Sequence, residues 1–189
     1  MYALSLNVNL LDVLMLCVIV RGYYVGSKTG LIAETFRLWG VVCSTFIAVH
    51  YYPSLAQFLR EALFISERVV EFVAFVLWGA VVFALFFVIR EGWLLLFKVE
   101  RKSVFNKWTG GTLSLVTSYF LCGLIFLAFV LLNNDFVRQQ VGSSLSRAVW
   151  SKTSGNVYKV FYGAVVHPFF PGERLNPQVM KLIEEPPGD

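Results

Sequence analysis

Apolar residues fill four runs, each close to bilayer length, with charges, glycine and proline gathered between them. Residues 69–89 (VVEFVAFVLWGAVVFALFFVI) and 112–132 (TLSLVTSYFLCGLIFLAFVLL) are apolar around every face, not along one stripe. Each covers about 21 residues, roughly 31 Å as a helix, which matches a hydrocarbon core of about 30 Å. The pattern predicts two further spans over 9–26 and 31–52. The first is interrupted. Its purely apolar part, Val13 to Val20, is too short to cross, and Asp12 and Arg21 stand about 13.5 Å apart in helix rise. At least one of those charges therefore lies within the membrane thickness or near its edge.

The breaks between runs define the remaining elements. Pro53 closes the second span behind Tyr51 and Tyr52, an aromatic interface anchor, and residues 53–68 read as a short polar loop. Residues 92–107 mix an apolar block with Lys98, Arg101, Lys102 and Lys107, the pattern of a basic helix lying in the interface. Asn133-Asn134-Asp135 stops the fourth span. Val137, Val141, Leu145 and Ala148/Val149 recur at helical spacing, as do Val157, Val160, Phe161, Ala164 and Val165, with a break at Ser151–Asn156. The predicted fold is all-α. A polytopic domain of four transmembrane helices occupies 1–132, including the interfacial basic helix, and an amphipathic C-terminal tail with a disordered end occupies 133–189.

Composition supports the membrane reading. Hydrophobic residues are 57% and charged residues 15% of the chain, where soluble domains run nearer 45–50% and about 25%. A net charge of +4 then reflects Lys and Arg beside anionic headgroups, not nucleic acid. No Lys or Arg occupies the first ten residues and no small-residue cleavage site follows the first run, so no secretory signal is expected. The stretch between the third and fourth spans carries Arg90, Lys98, Arg101, Lys102 and Lys107, against Arg60 and Arg68 between the second and third. This bias favours both termini outside, although six basic residues along the tail weaken it.

Two sets of residues stand out. Gly22, Gly26 and Gly30 recur every fourth position, and Gly110, Ser114, Ser118 and Cys122 repeat that spacing. Small-residue stripes let helix backbones approach closely, within one bundle or across a homo-oligomer seam. The first stripe reads foremost as a flexible turn, the second as helix packing. The other set is ionisable: Asp12, Arg21, Glu34, Arg37 and Glu71, in or near the spans. Such groups are costly in hydrocarbon. They serve as caps, snorkelling residues or ion pairs (Asp12–Arg21, or Glu34–Arg37 at i,i+3 spacing), or they line a polar pathway that would need several copies of the chain. Gly22 to Thr29 (GYYVGSKT) only faintly resembles a phosphate-binding loop and lacks its spacing. His50 and His167 have no Cys, Asp or Glu at ligand spacing, Cys17, Cys43 and Cys122 read as small residues within apolar runs, and no nucleophile motif stands out. No cofactor, metal or catalytic set is expected.

Asp12 precedes the first helix, Arg21-Gly22 follows, Gly26 and Gly30 lead to Glu34 and Trp39-Gly40, and Ala48-Val49-His50-Tyr51-Tyr52 precedes Leu55. This pattern resembles the colicin V production protein (CvpA) family of bacterial inner-membrane proteins over about residues 8–170. The family's fourth helix opens with a motif like Asp-Arg-x-x-Gly-x-x-x-Gly. Here the stretch is Asn106-Lys107-Trp108-Thr109-Gly110, with Ser114 in place of the second glycine. A Ser-rich stretch at 143–146, the amphipathic tail and Pro168 also resemble the family. Asp12, Gly22, Glu34, Gly40 and Gly110 match its pattern. The resemblance implies a four-helix inner-membrane protein linked to colicin V production or export and to envelope homeostasis, and it carries over no catalytic residues. The partners expected are the lipid bilayer, further copies of the chain and envelope or secretion proteins, with no nucleic acid. A small oligomeric channel or transporter, with intramembrane carboxylates along its pathway, is the alternative.

Overall fold

The computed structural model of the protein describes residues 9–63, 67–96, 104–132, 156, 158–160 and 162–163. Four long helices account for nearly all of them: α1 (Leu10–Thr29), α2 (Leu31–Leu63), α3 (Glu67–Leu96) and α4 (Val104–Leu131). All four are long and apolar enough to cross a membrane. The chain is an all-α, multi-pass membrane protein. A helix satisfies its own backbone, which is why an apolar run in lipid takes this form. Outward-facing Leu16, Val20, Leu85 and Val88 are more than half exposed, as suits side chains that meet acyl chains.

The helices do not pack in chain order. α1 lies mainly against α4, and α2 lies against both α4 and α3, whereas α1 barely touches α2. The side-by-side order is therefore α1, α4, α2, α3. Phe46, Val49 and Tyr52 of α2, Val70, Ala74 and Phe75 of α3, and Leu127 and Leu131 of α4 bury one another toward one end. Leu11 and Met15 pack with Cys122, Phe126 and Val130 across α1 and α4.

Three expectations are corrected. First, Gly22–Gly30 is not a turn: α1 continues through Thr29, and the chain reverses at Gly30 alone. Gly30 adopts φ 85°, ψ 174°, a backbone region open essentially to glycine only. Its N–H bonds the Gly26 carbonyl and its own carbonyl receives the Glu34 N–H, so one residue closes α1 and opens α2. Second, Pro53 does not end α2. The helix runs on to Leu63, so residues 53–63 are not loop. A proline removes one backbone bond, but packing holds the helix beyond it. Tyr52 and Ala56 are buried, and Leu55 and Leu59 lean on the same cluster. Third, 92–107 is not one separate helix. Residues 92–96 continue α3 and 104–107 begin α4, while 97–103 lie outside the described residues.

Most of the amphipathic tail also lies outside the described residues. Its described part includes one anchor: Tyr158 is buried, stacks on Phe46, and its hydroxyl lies 3.1 Å from His50 Nδ1. Cys17, Cys43 and Cys122 are free thiols.

Candidate functional site

The two small-residue stripes of the sequence are the two halves of one seam. α1 and α4 run antiparallel, so Gly22 meets Ser118, Gly26 meets Ser114, and Gly30 meets Gly110. No side chain could be added on the glycine side. A Cβ on Gly22 would overlap the Ser118 hydroxyl, and one on Gly26 would overlap Ser114 Cβ. A Cβ on Gly110 would stand 2.6 Å from the Gly26 carbonyl oxygen and 2.9 Å from Gly30 Cα. Because lipid tails are as apolar as leucine, helices in a bilayer associate through such close packing and through hydrogen bonds. The Ser114 hydroxyl donates to the Gly22 carbonyl, and one turn from Ser118 the Cys122 thiol contacts the Met15 carbonyl at 3.6 Å. The two stripes are therefore filled by each other within one chain.

At the end of this seam the α1–α2 corner holds a buried carboxylate. Glu34, in the first turn of α2, is 1% exposed. Its Oε1 accepts from Arg37 Nη1 at 3.2 Å and from the Thr29 hydroxyl at 3.2 Å. Its Oε2 is buried without a hydrogen-bond partner among the described residues. The helix spacing predicted the ion pair, since i and i+3 share a face. Asn106 braces the same corner from α4: its Oδ1 accepts the Leu31 N–H at 2.8 Å and satisfies one of the orphan donors at the start of α2.

The other ionisable residues are not brought here. Asp12 is partly buried in the first turn of α1, at the opposite end, and Glu71 is partly buried near the start of α3 at that same opposite end. The unbroken α1 holds Asp12 and Arg21 about 13.5 Å apart along the axis, on opposite sides of the helix, so they do not pair. Arg21 is exposed near the midpoint of α1. Gly40 is buried against α3, where an added Cβ would meet Phe86 Cβ at 3.0 Å. Within one chain, then, the three carboxylates do not line a common path.

Sequence reasoning missed four participants. Thr29 and Asn106 act through hydrogen bonds whose partners are distant in sequence or across a helix break. Gly111 extends the seam by seating the Tyr23 ring, which an added Cβ would meet at 2.9 Å. Arg90, at the far end of α3, stands beside Arg37 along one crevice between α2 and α3. Two signals among these were visible: the adjacent Gly110-Gly111 pair, and Asn106 at the motif position that opens the fourth helix. No group of three or more His, Cys, Asp or Glu that could hold a metal occurs among the described residues.

Residues 11–154 match the family model described as colicin V production protein. No curated protein and no solved structure gives a match.

Proposed function

Because the chain belongs to the colicin V production protein family, we propose that it is a bacterial inner-membrane protein that supports colicin V production or export, or envelope homeostasis, without catalysing a reaction. The observation that carries the non-conducting, assembly role is the state of Glu34. This carboxylate is enclosed by its own chain, neutralised by Arg37 and bonded to Thr29. A buried pair of this kind fixes a corner of the bundle. The protein then acts by holding a shape in the bilayer that other envelope or secretion proteins engage. Homo-oligomerisation is part of the proposal. Arg21, exposed near the midpoint of α1, supports it, because a cation at that depth calls for a partner.

The test is disruption of the gene in a host that makes colicin V, with toxin release and envelope integrity measured together. Disruption should lower one or both. Wild-type protein and the charge-neutral double variant E34Q/R37Q should restore them, and Gly26→Leu should not. A disrupted host with normal toxin release and a normal envelope would refute the proposal.

One observation favours a second reading, a small oligomeric channel or transporter. Glu34 Oε2 is buried with no partner among the described residues. In an oligomer such an oxygen is an open acceptor along a polar pathway.

A further inference from the structure

Beyond that reading, we infer that the crevice between α2 and α3 is a binding site for an anionic phospholipid, with its phosphate at Arg37 and Arg90 and an acyl chain along the phenylalanines. The crevice is lined by Arg37 and Gly40 of α2 and by Phe83, Phe86, Phe87 and Arg90 of α3, among others. Its floor exists because Gly40 has no side chain and lets Phe86 approach. Phe83 and Phe87 are exposed on the outer face of α3, so what lies against this groove in a bilayer is lipid.

Charge selects which lipid. Glu34 and Glu91 partner the two arginines, yet neither carboxylate lines the crevice; among the described residues, Arg37 and Arg90 are its only charged lining. Glu34 engages Arg37 through Nη1 alone, which leaves further donors of the planar fork. Arg90 packs over the Phe87 ring, and its Nε is buried with no acceptor among the described residues. A phosphate diester supplies acceptor oxygens for such a donor set.

The location agrees. Lys28, Arg37, Arg90 and Lys107 all stand at the end of the bundle where α1 and α3 finish and α2 and α4 begin. The connection between α3 and α4 adds Lys98, Arg101 and Lys102 in sequence. A lysine- and arginine-rich end faces the cytoplasm, and basic pockets between membrane helices on that side take anionic headgroups.

The experiment is native mass spectrometry of the full-length protein in detergent, titrated with phosphatidylglycerol or with phosphatidylcholine of the same chains. The wild type should retain one phosphatidylglycerol in preference to phosphatidylcholine. Arg90→Gln, and separately E34Q/R37Q, which removes the Arg37 charge without stranding Glu34, should each weaken retention about fivefold. Lys28→Gln and Lys107→Gln, basic residues of the same end that do not line the crevice, should leave it unchanged. The variants lie on different helices, so one that fails to fold leaves the other to decide. Equal retention of both lipids, or equal loss in Lys107→Gln, would overturn the inference. Displacement by glycerol phosphate at the same concentration as the lipid would also overturn it, since the site would then take a free phosphate ester.

Discussion

The Ser114 hydroxyl of α4 donates to the Gly22 carbonyl of α1, joining two backbones that glycine has already allowed to touch. Most of the holding force should therefore come from the fit, and less from the bond. Polar contacts between membrane helices average about 0.6 kcal/mol. Ser114→Ala should lower stability by roughly that amount. Gly26→Ala forces α1 off α4 and should cost about 1–3 kcal/mol. Gly92 on α3 has nothing within 4 Å of an added Cβ, so Gly92→Ala should be neutral or slightly stabilising. Reversible unfolding in mixed micelles ranks the three.

The corner at Gly30 makes a second prediction. Gly30→Ala meets both an unfavourable backbone region and the Asn106 amide, whose Nδ2 would stand 2.8 Å from the new carbon. A cost of at least about 1–3 kcal/mol is expected. Asn106→Ala removes the acceptor for the Leu31 N–H and should cost about 1 kcal/mol, while Asn106→Asp keeps an acceptor and should be tolerated. Hydrogen exchange at the Leu31 amide should quicken in the alanine variant and stay slow in the aspartate variant.

The ion pair makes a third. Arg37→Ala strands a carboxylate that is 1% exposed, so it should destabilise the bundle strongly. Arg37 is itself 18% exposed, which places the cost at or below about 3 kcal/mol. The double variant E34Q/R37Q should recover most of the loss. Equal stability of the single and double variants would show that the pair is not coupled.

The tail offers a fourth. Tyr158 stacks on Phe46 and meets His50 through its hydroxyl. Tyr158→Phe should keep the stacking and hold the tail in place, whereas Tyr158→Ala should release it. Limited proteolysis within residues 133–189 should then speed up for the alanine variant only.

How much of this the sequence disclosed follows from which interactions are local. α3 and α4 were legible because an all-round apolar run has one solution in lipid. The Glu34–Arg37 pair was legible because it lies within a single helical turn. α2 was cut short because Pro53 is a strong local stop, and only the packing of Tyr52, Ala56, Leu55 and Leu59 overrides it. The glycine stripe of α1 looked like a turn because Ser27 and Lys28 make it polar and no local signal says which helix it faces. The matching stripe on α4 was visible, but two periodic patterns do not by themselves announce that they fit each other. Asn106 with Leu31, and His50 with Tyr158, join residues distant in sequence and carry no periodic trace.

The most direct test of the central claim, that Glu34 is an enclosed structural counter-ion, is ion and small-solute flux into proteoliposomes of purified wild-type and Glu34→Gln protein. The measurement should run under a membrane potential and across a pH range. The account predicts flux no greater than in protein-free vesicles for both proteins. Wild-type flux that Glu34→Gln abolishes or shifts in pH dependence would contradict it and place the carboxylate on a conducting path.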